Sequence, residues 1–150
     1  MDKRTDLVEF ESMLLGRHVH MSTRSIGDDG ELERGAYILL SRLEVEGALS
    51  IGQLAEAFDL DVSTLNRRTA ALTKAGLIER IPDPEGGIAR KFRLTEEGER
   101  RLQEGRAWIM AGLDTILEGW SPEDVEAFAG YLRRFNTDIE RVSGRPWPRP

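Results

Sequence analysis

The chain of 150 residues contains no cysteine. Disulfide bonds, thiolate zinc sites, iron–sulfur clusters and thiol-based redox switches are therefore excluded together, and a reducing compartment suits the chain. Long apolar runs are also missing, because no stretch approaches the roughly 18 apolar residues that a membrane span requires. The N-terminus is charged and lacks the apolar segment of a signal peptide. We therefore expect a cytoplasmic protein of one domain, without a membrane partner.

The residues of common catalytic and metal sites are scarce as well. The only histidines are His18 and His20, and on a helix this spacing points them about 200° apart, so they cannot share a metal ion. No spacing suggests a Ser-His-Asp arrangement, and Gly86-Gly87 lacks the following helix and lysine of a phosphate-binding loop. We expect no enzymatic activity, no metal and no cofactor.

Acidic residues outnumber basic residues overall, but one segment is basic. The net charge is −6, yet residues 61–95 contain seven basic and four acidic residues and so carry +3, which leaves −9 for the rest. An acidic body with one basic stretch is compatible with a DNA-binding protein whose contacts lie on one surface. Charges on ordinary solvated faces would give the same totals.

Apolar residues recur at helical spacing through most of the chain. One stripe runs from Leu7 to Met21 and ends before a loop at 27–30, and a second runs from Leu32 to Leu43 and is closed by Gly47. Ser50 is placed to cap a short helix. Asp61 precedes another helix, whose apolar residues Val62, Leu65 and Leu72 we expect to point inward.

A hairpin and two long helices are predicted next. Gly76 is placed as a left-handed helix cap, residues 77–81 and 88–94 read as strands, and the proline- and glycine-rich segment 82–87 joins them. Thr95 caps a helix that Gly119 ends. Ser121 and Pro122 begin the last helix, whose apolar seam over 125–142 requires a partner helix.

This order predicts a mainly α fold with a small β-hairpin, a winged helix-turn-helix flanked by N- and C-terminal dimerisation helices. We expect one domain over 1–142, with dimerisation helices at 1–26 and 95–142, the helix-turn-helix and wing at 50–94, and a flexible tail at 143–150. The second helix of the motif would enter the major groove of DNA. The candidate contacts with double-stranded DNA are Ser63, Thr64, Asn66, Arg67, Arg68, Arg90 and Lys91.

Three sequence motifs resemble the MarR family of bacterial transcriptional regulators. They are Val62-Ser63-Thr64-Leu65-Asn66-Arg67-Arg68, the junction Gly76-Leu77-Ile78, and Leu94-Thr95-Glu96-Glu97-Gly98 at the exit from the wing. The resemblance implies a homodimer built from the terminal helices, a recognition helix between Asp61 and Ala75, and in many members a small-molecule effector. The chain departs from the family in the wing. Gly86 and Ile88 stand where the family usually has Asp-x-Arg, and Arg90 is the nearest substitute.

Two further expectations follow. His18, Met21, Tyr37 and Trp108 could line an effector pocket between the dimerisation helices and the DNA-binding lobe, although such residues at helical spacing also form ordinary cores. The alternative function is a winged-helix protein–protein interaction module with degraded DNA binding, which the acidic body and the missing wing arginine favour. Arg67 and Arg68 favour a DNA-binding transcriptional regulator. We expect it to act as a homodimer, either as a repressor or as an activator of transcription.

Overall fold

The structure is a computed structural model that describes residues 2–22 and 32–150, with the side chains of residues 20–22 left out of the description. The loop expected at 27–30 lies outside these residues. The described part contains six helices and three strands in the order α1 (Thr5–Ser22), α2 (Arg34–Glu46), β1 (Leu49–Ser50), α3 (Ile51–Phe58), α4 (Val62–Lys74), β2 (Ile78–Ile81), β3 (Lys91–Leu94), α5 (Glu96–Ile116) and α6 (Pro122–Ser143). The mainly α winged-helix class is confirmed.

The helix starts expected from the sequence are all present. The side chains of Ser50, Asp61, Thr95 and Ser121 each accept a hydrogen bond from the backbone amide three residues further on. At Ser50 the side chain of Gln53 also accepts from the Ser50 amide, which completes a capping box. Each cap satisfies a backbone amide that would otherwise lack a partner. Local side-chain chemistry therefore explains where α3, α4, α5 and α6 begin.

The helix ends agree with the sequence in two cases and differ in one. Gly47 and Gly76 have φ angles of 87° and 78°, in the left-handed region that favours glycine. The expected end of α5 at Gly119 is wrong, since the helix stops at Ile116. The reason is a hydrogen-bonded turn over 117–120, closed by the Trp120 amide donating to the Leu117 carbonyl at 2.9 Å. Gly119 lies inside that turn.

The wing is a three-stranded antiparallel sheet in the order β1-β3-β2. The hairpin is confirmed, with Ile78 opposite Leu94 and Ile81 opposite Lys91. Its second strand begins at Lys91 and not at residue 88, because Pro82 follows Ile81 and has no amide to extend the ladder. The strand β1 was not expected from the sequence, because its two residues, which pair with β3, are too few to show a periodic pattern.

The core lies between α2–α5 and the sheet. Its buried residues form one cluster, namely Leu32, Leu39, Leu40, Leu43, Leu49, Leu54, Leu65, Leu72, Leu77, Ile78, Phe92 and Leu102. Of the residues that the structure describes, none in α1 or α6 belongs to this cluster. The helix-turn-helix and the wing are therefore packed around the same apolar centre.

The terminal helices expose their apolar faces. Phe10 in α1 and Phe135 in α6 are 52% and 49% exposed, and α6 has no buried residue in the single chain described here. No other helix or strand in the described part makes an extended contact with α1 or α6. Neither they nor any other helix of that part is long and apolar enough to cross a membrane.

The C-terminal tail differs from the flexible segment expected at 143–150. The tail folds back from α6, and the ring of Trp147 packs edge-on against Phe58 with the centroids 5.5 Å apart. Arg149 forms an ion pair with Glu140 at 2.7 Å. A proline-rich composition excludes regular structure, but it does not exclude packing by a large aromatic residue.

Candidate nucleic-acid interface

The inner face of α4 fixes the direction of this helix. Leu65, Thr69 and Leu72 are buried, and the Thr69 hydroxyl donates to the Leu65 carbonyl at 2.8 Å, so its burial leaves no unpaired group. Val62, expected to point inward, is 47% exposed. The reason is that the first turn of α4 extends beyond the core, which this helix reaches only at Leu65.

The outer face of α4 is a polar and basic stripe. Ser63, Arg67, Ala70 and Lys74 follow one another at spacings of four, three and four, which places them on one side of a helix, and all four are exposed. Asn66 is exposed beside this stripe. Lys74 was not among the residues singled out from the sequence, although its position seven residues after Arg67 was a usable signal.

A hydrogen-bond network around Asp61 holds the start of this stripe. The Asp61 carboxylate accepts from the Thr64 amide at 2.7 Å and from the Ser63 hydroxyl at 2.9 Å. Arg67 donates to the Thr64 hydroxyl at 3.3 Å. Hydrogen bonds from Thr64 and then Ser63, with the positive charge of Arg67, lower the pKa of Asp61 to about 2. The cap therefore carries a full negative charge at neutral pH, beside the arginine.

Arg68 lies apart from the other candidate residues. It is half-buried on the flank of α4, and a Cβ added to Gly35 in α2 would lie 3.3 Å from its guanidinium nitrogen. The absence of a side chain at Gly35 thus leaves room for Arg68 between the two helices. Its side chain packs against α2, whereas we expected it beside Arg67 on the exposed surface.

Asp83 organises the wing loop. Its carboxylate accepts from the Glu85 amide at 2.9 Å, and its carbonyl accepts from the Gly86 amide at 3.0 Å. The Lys91 ammonium lies 3.5 Å from the same carboxylate, with only 16% of its side chain exposed. The bond from the Glu85 amide is the main cause that lowers the pKa of Asp83, and the charge of Lys91 contributes. Lys91 is therefore folded onto the loop rather than extended from it.

The tip of the wing presents one cation and one apolar side chain. Arg90 is exposed and has no ion pair with the residues that the structure describes, whereas Arg93 pairs with Glu79 at 2.6 Å. Ile88 is fully exposed. Arg80 lies over the Phe92 ring, 5.4 Å from its centroid. Arg90 is thus the basic side chain of the wing best placed to meet a phosphate.

A junction ties α4, the wing and α5 together. The Thr95 hydroxyl donates to the Gly76 carbonyl at 2.6 Å, and the Thr95 amide donates to the Leu77 carbonyl at 3.1 Å. Gly98 lies so close to the Leu77 carbonyl that a Cβ there would overlap with the oxygen. The end of α4, the start of the wing and the start of α5 are therefore joined by hydrogen bonds and close packing.

The residues expected to line an effector pocket lie on three helices, and Tyr37 of α2 lies beside Gly105 of α5, three residues before Trp108. His18 is exposed on α1, Tyr37 is half-buried on α2, Trp108 is 46% exposed on α5, and the side chain of Met21 lies outside the description. A cavity of about 220 Å³ lies elsewhere, between the N-terminal part of α2 and α4. Apolar side chains dominate its lining, with Glu33 and Arg68 as the charged groups.

Comparison with known proteins agrees with this geometry. Residues 32–86 match the model of the MarR family. The chain is 34% identical over 131 residues to the HTH-type transcriptional regulator YxaD of Bacillus subtilis. The aligned region covers 87% of this chain and 92% of YxaD.

The fold recurs in solved structures. A MarR family protein from Bacillus stearothermophilus superposes with a TM-score of 0.78 at 24% identity, over 93% of this chain and 99% of that one. The PcaV transcriptional regulator from Streptomyces coelicolor, solved in complex with its natural ligand, superposes with a TM-score of 0.63 at 23% identity, over 91% and 95% of the two chains. Given the long match to YxaD, the matched family model and this fold, the chain belongs to the MarR family of transcriptional regulators.

Proposed function

We propose that this protein is a cytoplasmic homodimeric repressor that binds a pseudo-palindromic operator in duplex DNA. The observation that carries the proposal is the exposed stripe of Ser63, Arg67 and Lys74 on α4, together with the exposed Arg90 of the wing. A helix with such a face fits the major groove, where hydroxyl, amide and guanidinium groups can bond base edges and phosphates.

The apolar seams of α1 and α6 support the dimer. In α6 the exposed seam includes Phe128, Leu132, Phe135, Ile139 and Val142. Contiguous apolar surface of this kind is uncommon on soluble monomers, and a second copy of the chain is the simplest partner that covers it. A two-fold axis through the paired helices would place one α4 on each side of it.

Symmetry sets the geometry of the operator. Two reading helices related by a two-fold axis should lie about 34 to 36 Å apart, which is one turn of DNA. We therefore expect footprinting to protect two half-sites on the same face of the duplex. Protection of one isolated half-site would contradict the proposal.

A mobility-shift titration with DNA from around the protein's own gene tests DNA binding. Arg67→Ala should weaken binding to the matched operator and leave binding to a scrambled duplex almost unchanged. Arg100→Ala is the matched control, because it removes the same charge from a guanidinium already paired with Glu97 and Glu104. If no duplex shifts with the wild type, the proposed function is wrong and a winged-helix protein–protein interaction module replaces it.

We also propose that a small effector modulates DNA binding through the cavity between α2 and α4. Its support is the lining, which includes Arg68, Ala71 and Leu72 of the reading helix, so that an occupant would contact α4 directly. The occupant should be small and largely apolar, with a group that a guanidinium can bind. The pocket predicted around His18, Met21, Tyr37 and Trp108 stays a prediction.

A thermal-shift screen with benzoate and short-chain fatty acids tests the cavity. A compound that raises the melting temperature should also release the operator. Ala36→Leu fills the cavity from α2, away from the outer face of α4, and should abolish the shift while operator binding persists. If the shift survives this substitution, the compound binds elsewhere.

A further inference from the structure

The last seven residues, 144–150, form a strap that runs from α6 to the helix-turn-helix. Gly144 has a φ of 71°, and its amide donates to the Glu140 carbonyl, so the chain reverses as soon as α6 ends. The Arg145 amide donates to the same carbonyl at 3.1 Å. This left-handed turn directs residues 145–150 back along the molecule and not into solvent.

Glu140 anchors the strap on α6. Its carboxylate accepts from the backbone amide of Trp147 and from both terminal nitrogens of Arg149, at 3.0 and 2.7 Å. Arg149 also donates to the Trp147 carbonyl at 3.0 Å. Hydrogen bonds from Arg149 and from the Trp147 amide lower the pKa of Glu140, so this anchor is charged at neutral pH.

Three contacts attach the strap to the helix-turn-helix and its neighbour α2. The Trp147 ring meets Phe58, the last residue of α3, and the Arg42 guanidinium lies 4.6 Å from the ring centroid. Arg145 forms an ion pair at 3.0 Å with Asp59, which connects α3 to α4. Asp59 itself has a φ of 52°, a left-handed conformation that only a few non-glycine residues adopt. The strap thus contacts the turn between α3 and α4 of the helix-turn-helix.

Trp147 packs on a buried arginine that is itself held in place. Arg42 is only 8% exposed and is held by Glu46, so the tryptophan covers a cation that is already fixed. A cation beneath an indole and an edge-on aromatic pair are both favourable arrangements. Within the described chain, α6 has no extended contact with another helix or strand. The strap is therefore a principal attachment of the end of α6 to the DNA-binding lobe.

We infer that Trp147 and Arg145 are positioning residues, which hold the helix-turn-helix at a fixed angle to α6 and so set the half-site spacing that the dimer accepts. The inference rests on the proposed function, in which α6 is fixed in the dimer interface. A lobe that is clamped to this interface presents its α4 at one distance from its counterpart. A lobe that is free to turn accepts several distances, and it must lose that freedom when it binds.

Fluorescence anisotropy on a series of operators, whose half-site separation differs by one base pair at a time, tests the inference. The variants are Trp147→Ala and a chain that ends at Gly144, with Trp147→Phe as the conservative control. At the best separation, the first two should bind at least about fivefold more weakly than the wild type, the lower end of typical coupling effects. Their preference among separations should flatten, and binding to a single half-site should stay unchanged. Trp147→Phe should restore most of the preference.

Hydrogen exchange on the DNA-free protein supplies a readout that does not depend on operator binding. Removal of residues 145–150 should speed exchange in 55–61, around the turn that the strap grips, and leave the centre of α6 unchanged. Unchanged exchange at 55–61, or an unchanged spacing preference in a dimer that still binds DNA, overturns the inference. A wild type that is monomeric or binds no DNA would instead overturn the proposed function, and the exchange result would still show whether the strap holds the turn.

Discussion

At the scale of single residues, Arg67 and Arg90 are two cations of the proposed DNA interface, and they have different surroundings. Arg67 lies on the outer face of a helix, where it donates a hydrogen bond to the Thr64 hydroxyl. Arg90 lies at the tip of a loop, with Gly86 and Ile88 where the family's Asp-x-Arg would stand. Because residue 86 is a glycine, it supplies no carboxylate that could orient a wing arginine in the minor groove.

We therefore expect Arg67→Ala to reduce specificity and Arg90→Ala to reduce affinity evenly. An arginine that holds guanine with two hydrogen bonds contributes roughly 1 to 3 kcal/mol of discrimination. Loss of a phosphate contact should instead lower the salt dependence of binding by about one unit of slope. Titration of both variants on matched and scrambled operators at two salt concentrations measures this. If only Arg90→Ala abolishes the specificity ratio, the wing is the main reader.

The Asp61 cap gives a prediction about pH. Its pKa in the folded chain is about 2, below the ordinary value of an aspartate, so the cap stabilises the fold above pH 4 and loses its effect as pH falls toward 2. Asp61→Ala should lower the melting temperature by the same amount at pH 7 and pH 5, and by less below pH 4. Asp61→Asn keeps a capping oxygen and serves as the control. A difference that already shrinks between pH 7 and pH 5 would contradict this cap.

At the scale of elements, the junction of α4, the wing and α5 explains two sequence motifs, Gly76-Leu77 and Leu94-Thr95-x-x-Gly98. Thr95 caps α5 and at the same time donates hydrogen bonds to the carbonyls of Gly76 and Leu77. Gly98 is required because the Leu77 carbonyl occupies the space of its Cβ. Two segments that lie about twenty residues apart are thus parts of one contact.

Substitutions at this junction should destabilise the whole DNA-binding lobe. We expect Gly98→Ala to lower the free energy of unfolding by about 1 to 3 kcal/mol, since the backbone must shift to admit a methyl group. Thr95→Ala should cost about 1 to 2 kcal/mol through the lost cap and the unpaired Gly76 carbonyl. Urea unfolding at constant protein concentration measures both. Ser121→Ala removes a cap without a second bond, and a cost equal to that of Thr95→Ala would contradict the role of the junction.

At the scale of the whole molecule, the terminal helices α1 and α6 lie outside the apolar core. The core is complete without α1 and α6, whose apolar faces remain exposed in the single chain. In the proposed dimer, a second copy of the chain would cover the apolar faces of the terminal helices. In the proposed dimer, α5 and the strap would connect α6 to the helix-turn-helix and the wing.

We expect Leu132→Glu and Phe135→Glu to convert the dimer into a folded monomer. These side chains are 37% and 49% exposed in one chain, so a carboxylate there costs little until a partner buries it without a counter-charge. Thr137→Glu adds the same charge on the opposite face of α6 and should leave the dimer intact. Analytical ultracentrifugation with circular dichroism distinguishes these states. A wild type that sediments as a monomer at micromolar concentration would refute the dimer.

Much of the candidate site could be predicted because its signals are local. Ser63, Asn66 and Arg67 follow an Asp cap at helical spacing, and they lie on the exposed face of α4 as expected. Arg68 and Lys91 could not be placed in this way. Their directions depend on Gly35 in another helix and on Asp83 across a loop, and neither pairing has a signature in sequence spacing.

The sequence by itself determined the helix starts, the hairpin turn and the amphipathic seams, because caps, prolines and apolar periodicity act within a few residues. Only the tertiary structure decided that two residues before α3 complete the sheet, that Arg68 turns toward α2, and that Trp147 closes a strap over Phe58. Each of these depends on a contact between segments far apart in the chain. Such contacts form when the folded core brings the segments together, and local sequence patterns do not predict them.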